Sequence, residues 1–368
     1  MGNSLSKNLF LEPLDKKLVT NTMNTSDKNM DTNASSRKED HIKLAFDSVV
    51  KNVDVRFSYE PILRSHPTGE ETFPLLIGEK KMSFPLWISS MTGGTERAKS
   101  INKNLAIACN KFGLGMGLGS CRQLLYSEDR LDEFAVRSLM PDAPLFVNLG
   151  IAQIESLIEK NHVDRIGTLI NRLEADGLIV HVNPLQEWMQ PEGDTIRRAP
   201  IESISNLVKQ VDYPIIVKEV GQGMGYESLL KLMKLPLEAI EFGAHGGTNF
   251  TKLELFRADE NRKKVYESVG KLGHSAIEML ESCNKIFSSN DHVIQCKNVI
   301  ISGGIKGFLD GYYLVSNSKM PAMYAQGSAM LEYAIQGSEA LNQYIEMQLD
   351  GYRMAHAMLT ARNLENRI

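Results

Sequence analysis

The chain has 368 residues, 42% hydrophobic and 23% charged, enough to bury a large core; a length that would ordinarily suggest several domains is also that of a single (β/α)8 barrel. A formal net charge of -4 and an isoelectric point near 6.1 give no general electrostatic reason to expect nucleic acid or an anionic membrane as partner. The scattered Cys109, Cys121, Cys283 and Cys296 disfavour a zinc site or a disulfide framework, and no apolar run approaches the roughly 18 residues of a membrane span, so a soluble cytoplasmic protein is expected.

Residues 1–36, rich in Asn, Thr, Ser, Asp and Lys, cannot offset their ordering entropy and read as a tail, with the folded domain expected over 37–368. The start Met1-Gly2-Asn-Ser-Leu-Ser6 matches a myristoylation pattern too short to carry weight, and no signal-peptide core is present. Charge becomes dense at Arg37-Lys-Glu-Asp-His41, and Ile42, Leu44, Ala45, Phe46 and Val49 then supply a helical apolar face. Arg37, Lys38 and His41 fall on one side of that turn, for which a solvated helix start is the plainer reading. Between Phe57 and Lys81, short apolar pieces separated by Pro and Gly predict a small β-hairpin covering one end of the domain.

Apolar runs ending in glycine or polar clusters then recur, at Pro85–Met91, Gly113–Gly119, Pro144–Leu149, Gly177–Asn183, Pro214–Val220, Ala239–Ala244, Asn298–Ser302 and Ala322–Gln326. About eight such strands are what a parallel barrel requires. Helical-period segments lie between most of them, including Ile151–Ala175, Pro200–Val211 and Tyr226–Leu235, so the pattern predicts an α/β fold with alternating β/α units, a TIM barrel. The gap at about Phe250–Lys297 carries helical pattern and a loop on the active side. Glu332–Asn363 is expected to be helical, with its Met and Leu serving a core or oligomer face.

The strand ends carry the chemistry. His181-Val-Asn-Pro-Leu-Gln-Glu-Trp-Met-Gln-Pro-Glu-Gly-Asp194 sets an imidazole, three amides and three carboxylates directly behind the fourth run. A barrel presents reactive groups at this edge. Thr92-Gly-Gly94, Ser120-Cys-Arg122, Asn148 and Lys218 close the other early runs, and Ala244-His-Gly-Gly-Thr248, Ser302-Gly-Gly304 and Gly327-Ser328 the late ones. Glycines after strands seven and eight let backbone N–H groups approach a phosphate. A planar cofactor with a phosphate tail fits this layout, with Lys218 near the negative ring locus; Lys218 as a Schiff-base nucleophile is the other reading of that residue.

These residues resemble type 2 isopentenyl diphosphate isomerase, the FMN-dependent form, over residues 37 to 329. The similarity rests on Arg37-Lys38 with His41, Met91-Thr-Gly-Gly94, Ser120-x-Arg122, Asn148, His181-x-Asn-x-x-Gln-Glu187, Pro191-Glu-Gly-Asp194, Lys218, Gly246-Gly-Thr248 and Ser302-Gly-Gly304. The resemblance implies that Met91, Thr92, Gly93, Ser120, Asn148, Lys218, Thr248, Gly303, Gly304, Gly327 and Ser328 contact FMN. It implies that Arg37, Lys38, His41, Ser120, Arg122, His181, Asn183 and Gln186 surround the substrate, with Gln186 and His181 catalytic and Glu187 binding magnesium. It further implies conversion of isopentenyl diphosphate to dimethylallyl diphosphate by reduced FMN acting as acid and base, NADPH as reductant, and a homo-oligomer, tetramer or octamer.

The sequence departs from the family pattern at Lys306, usually Arg, and Phe308, usually Gly, before the matching Asp310; the Gly307–Met323 region is also longer than usual. One alternative is an FMN-dependent 2-hydroxy-acid oxidase, suggested by His245-Gly-Gly, although Thr248 stands where that chemistry needs an arginine. A flavin-binding scaffold without catalysis is the other, and Gln186 and Glu187 argue against it.

Overall fold

The computed structural model describes residues 34–91 and 95–364, which divide into two units at Asp54–Val55. In the first unit, helix α1 (Ala34–Leu44) starts ahead of the expected boundary at residue 37 and ends earlier than its apolar pattern predicts. The amides of Asp47 and Ser48 both return to the Leu44 carbonyl, at 3.1 and 3.0 Å, so the chain turns there. Phe46 and Val49 therefore lie outside the helix and are exposed.

The second unit opens with strand β1 (Phe57–Tyr59) and the hairpin of β2 (Leu75–Ile77) and β3 (Lys80–Met82). The barrel strands come next: β4 (Leu86–Ile88), β5 (Gly115–Gly117), β6 (Leu145–Gly150), β7 (Gly177–Val182), β8 (Ile215–Glu219), β9 (Ala239–Glu241), β10 (Asn298–Ile301) and β11 (Ala322–Gln326). All neighbours pair in parallel and the sheet closes on itself, as the eight apolar runs predict.

Successive side chains on a strand face opposite sides, and that alternation builds the barrel in two layers. Leu86, Leu145, Val147, Leu178, Val180, Ile215, Val217 and Val299 face the surrounding helices. Trp87, Phe146, Ile179, Ile216, Ala239, Ile300, Met323 and Ala325 form a separate interior cluster. Ile77 and Met82 of the hairpin join this cluster, so the hairpin plugs one end of the barrel.

Helix α2 (Glu96–Phe112) follows β4, its first turn held by Thr95, whose side chain accepts from the Ala98 amide. The predicted helix Ile151–Ala175 is two, α3 (Ile151–Glu159) and α4 (Asp164–Arg172), because Asn161 adopts a left-handed φ of 55° between them. Helix α5 (Pro184–Met189) occupies the polar stretch behind β7, with Pro184 in its first turn, where a missing N–H costs nothing. Helices α6 (Pro200–Val208) and α7 (Tyr226–Met233) fall where expected. The long gap holds α8 (Phe250–Arg257), α9 (Glu260–Tyr266) and α10 (Ala276–Ser288), capped by Asn249, Asp259 and Ser275.

After β10 comes α11 (Phe308–Ser316), within the longer Gly307–Met323 region. The predicted C-terminal helix is divided by Gly337 at φ 131° into α12 (Ser328–Gln336) and α13 (Ser338–Met358), and it ends in a strand, β12 (Leu359–Ala361). β12 pairs antiparallel with β1, Phe57 opposite Ala361. Periodicity within the C-terminal segment carries no trace of a partner at the opposite end of the unit, which is why a helix is the expectation there. All four cysteines are buried and unpaired, and burial pushes the thiols of Cys121, Cys283 and Cys296 up to about 12.

Candidate functional site

Two residues beyond the interior cluster the same alternation changes from apolar to polar. Ser89 follows Trp87, Asn148 follows Phe146, His181 follows Ile179, Lys218 follows Ile216, Glu241 follows Ala239 and Ser302 follows Ile300. Gly327 follows Ala325 in the same step. A single layer at the carboxyl ends of the strands therefore carries the ionisable groups.

Above part of that layer lies a cleft lined by Met91, Lys218, Thr248, Gly303, Gly304, Gly327 and Ser328, all expected cofactor contacts. Its floor is built from backbone. Gly303 and Gly304 have φ of 94° and 75°, and Gly246 has 119°. A Cβ on Gly247 would stand 3.0 Å from the Gly304 amide nitrogen, so these loops approach each other as only glycines allow. Helix α12 begins at Ser328 beside them, its free N–H groups directed toward this edge. Together they form an anion cradle at the strands where barrels hold phosphates.

The two departures nearby are accommodated. The backbone N–H of Lys306 donates to Asp310 Oδ2 at 2.8 Å, and Arg56 pairs with Asp310 Oδ1 at 2.6 Å. The Phe308 ring rests against Gly351 of α13, where a Cβ would come within 2.4 Å of it. The larger residue at 308 is thus matched by the absence of a side chain at 351.

Asn148 holds His181. Its Nδ2 donates to the Leu118 carbonyl at 3.1 Å, which leaves Oδ1, 2.8 Å from His181 Nδ1, to accept the imidazole proton. That arrangement leaves Nε2 unprotonated. Burial, and then the Lys218 ammonium, push the His181 pKa down to about 3 from 6.5. Between these values the unfolded chain binds a proton that the folded one does not, so stability is lost as pH falls through this window. His181→Gln is expected to lose less of its thermal midpoint across that range than the native chain; equal losses would show that His181 is freely protonated in the fold.

Helix α5 gathers the second group. Asn183 Nδ2 donates to Gln186 Oε1 at 3.1 Å and to Glu187 Oε1 at 2.9 Å, while Glu187 Oε2 accepts from the Asp194 amide at 2.7 Å. Asp194 in turn pairs with Arg122 at 2.7 Å and accepts from Gln153 at 2.8 Å. Gln186 Nε2 donates to Glu254 Oε1 at 3.3 Å. Arg122, Asn183, Gln186 and Glu187 thus belong to one hydrogen-bonded network.

Three further expected site residues, Arg37, Lys38 and His41, are exposed on α1 in the first unit. Thr92 and Gly93 lie outside the described residues. Ser120 is exposed on the loop after β5. Among the described residues no group of three or more His, Cys, Asp or Glu side chains could hold a metal, so Glu187 offers a single carboxylate.

Sequence reasoning missed Glu254 and Glu241. Glu254 sits inside a helical segment on a face that only docking of α8 on α5 turns inward, where it is buried, bonded to Gln186 and paired with Arg257 at 2.5 Å. Glu241 had a signal: a charged residue two positions beyond the apolar Ala239 in a buried strand.

No model of a protein family matches the chain. It is 34% identical over 295 residues to the isopentenyl-diphosphate delta-isomerase of Rickettsia akari (strain Hartford), covering 77% of this chain and 81% of that protein. The isomerase of Rickettsia typhi (strain ATCC VR-144 / Wilmington) is 32% identical over 282 residues, covering 75% and 79%. Among solved structures, a mandelate oxidase mutant with a monooxide FMN adduct superposes with a TM-score of 0.53 at 15% identity, covering 84% of this chain and 88% of that one. A doubly substituted flavocytochrome b2 with sulfite bound gives 0.56 at 14%, covering 85% and 78%. Likeness at that level shows a shared barrel only, whereas the Rickettsia identities extend over most of both chains: this chain belongs to the isopentenyl-diphosphate delta-isomerase family, in its type 2, (β/α)8-barrel form.

Proposed function

We propose that the protein converts isopentenyl diphosphate to dimethylallyl diphosphate with reduced FMN in the cleft and magnesium on the diphosphate. The observation that carries this reading is a glycine phosphate cradle with Lys218 at its inner end, in a cleft also lined by Phe250 of α8, the helix whose Glu254 holds Gln186. The cleft suits FMN on structural grounds, since Gly246, Gly247, Gly303 and Gly304 bring two loops together where side chains would collide with backbone, and Gly247, Gly303 and Gly304 line the cleft with backbone that can meet a phosphate. When bound, reduced FMN supplies an electron-rich ring and a proton-exchanging N5 region, which suit the protonation and deprotonation that shift an unactivated double bond.

The chain's own groups do the rest. Met91, Thr248, Ser328 and the glycines hold the cofactor, with Ser120, Asn148, Thr92 and Gly93 assigned to it as well. Gln186, fixed from both ends by Asn183 and Glu254, holds or relays a proton at the alkene. His181, kept neutral, offers Nε2 as an acceptor. Asn183 keeps a buried Oδ1 with no partner among the described residues, available to the substrate. Glu187 accepts one hydrogen bond at each oxygen and retains lone pairs for magnesium, which typically takes one carboxylate together with substrate phosphates. Arg122, Arg37, Lys38 and His41 are assigned to the diphosphate as charge-assisted donors. NADPH as reductant, a tetramer or octamer, and a cytoplasmic location complete the reading; no helix among the described residues is long and apolar enough to cross a membrane.

The test is direct. Purified protein with FMN, a reductant and magnesium should convert isopentenyl diphosphate, followed by proton NMR, and the same mixture kept oxidised should not. Equal rates in both, or none in either, would reject the proposal.

A further inference from the structure

Lys218 is an ammonium only 6% exposed at the base of the cleft. It makes one hydrogen bond, to the Glu219 carbonyl at 2.9 Å, although an ammonium carries three donors. An isolated buried ammonium is costly, so something must balance its charge. Its partner in the β8–β9 register is Glu241, which points into the same interior layer and is fully buried. Ser89 donates its hydroxyl to Glu241 Oε1, and the Ser302 hydroxyl and the Trp87 indole also lie near enough to favour its charged form. Glu241 does not line the cleft, whereas Lys218 does.

The other groups facing this pair cannot play the balancing part. His181 on β7 is neutral. The Glu219 carboxylate also feels the Lys218 charge, but it points out of the interior layer and accepts from the amides of Gly221, Gln222 and Gly223 at 2.7 to 2.8 Å, which hold it in the loop after β8. Ser302 on β10 accepts from the Gly243 amide at 2.8 Å and is uncharged, as is Trp87 below on β4. His245, beyond β9, is exposed.

We propose that Glu241 is a positioning residue that acts through Lys218: its buried carboxyl, opposite the ammonium in the barrel register though not in a direct ion pair with it, limits the positive charge presented to the flavin. This rests on the assignment of FMN to the cleft. Burial raises the Glu241 carboxyl above its usual range, and Lys218, followed by Ser89, opposes that rise.

Glu241→Gln keeps the shape and removes the charge, leaving Lys218 unopposed. Negative charge gathered at the N1–C2 carbonyl edge of reduced FMN is then better stabilised. The pH at which the bound, reduced cofactor loses its N1 proton should fall by about one unit, the low end for a charge change beside a titrating group, and its reduction midpoint should rise. Absorbance titration of the reduced, FMN-loaded full chain reads the first, and dye equilibration the second. Glu241→Asp should titrate like the native protein. Ser89→Ala removes the hydroxyl that stabilises the ionised carboxyl, so Glu241 takes up a proton more readily; it should shift in the same direction by less, and it decides the matter if Glu241→Gln cannot be loaded. A native titration in Glu241→Gln, an equal shift in Glu241→Asp, or, with Glu241→Gln unloadable, no shift in Ser89→Ala would overturn the proposal while leaving FMN in the cleft. Native protein that binds no FMN would overturn the cofactor assignment itself, and this inference with it.

Discussion

Replacing Gln186 with Leu is expected to lower kcat by about a hundred-fold or more, the scale of a lost proton-handling group, with little change in FMN affinity or KM. Gln186 accepts from Asn183 at 3.1 Å and donates to the buried Glu254 at 3.3 Å, so its amide is oriented before substrate arrives. Leucine fits the space but can neither accept nor donate a proton. The loss should therefore fall on the transition state rather than on binding. Its neighbour behaves differently. Glu187→Gln can still accept from the Asp194 amide, so α5 should hold its place, but it removes the charge that a hard cation prefers. Added magnesium should restore part of the activity of Glu187→Gln and almost none of Gln186→Leu. Equal rescue of both, or undiminished turnover in both, would show that this helix is not the reacting centre.

The largest structural effect is expected at Gly303. Its φ of 94° is a conformation that side chains avoid, and an added Cβ would lie 2.1 Å from the Ala244 carbonyl oxygen and 2.4 Å from the Ala244 nitrogen. Both obstacles are backbone at the end of β9, so no rotamer change relieves them. Gly303→Ala should cost about 3 kcal/mol or more, from the clash added to the backbone strain, and should weaken FMN binding at least ten-fold by displacing the phosphate loop. Gly337→Ala supplies the comparison: its φ of 131° is equally unsuited to a side chain, but nothing lies within 4 Å of the added atom. It should lose stability from strain alone and bind FMN normally. Urea midpoints and fluorescence titration of FMN measure both quantities; an undisturbed FMN affinity in Gly303→Ala would remove this loop from the site.

The barrel was legible because each of its strands is buried on both faces and therefore leaves a continuous apolar run such as Gly177–Val180. The direction of the candidate site residues on strands was legible for a related reason. A side chain two positions beyond an interior residue must point into the same space, so Lys218 beyond Ile216 and Asn148 beyond Phe146 declare their direction in one dimension. Gly303 and Gly304 were readable too, since successive glycines after a late strand imply backbone approach. Glu254 was not, because helix α8 becomes part of the site only by docking on α5, and its own periodicity does not say what it docks against.

By itself, then, the sequence determined the α/β barrel, the strand ends that carry chemistry, and the identity of most groups placed there, because these follow from the two-residue alternation and from local backbone freedom. Tertiary structure alone decided how those groups are used. Asn148, expected as a cofactor contact, orients His181; Asp194 ties Arg122 to the helix that bears Gln186; and Glu241 stands beside Lys218 in the barrel register. Each of these pairings joins residues distant in the chain, and a side chain's protonation and hydrogen-bond direction depend on what lies a few ångströms away in space, which local sequence pattern does not encode.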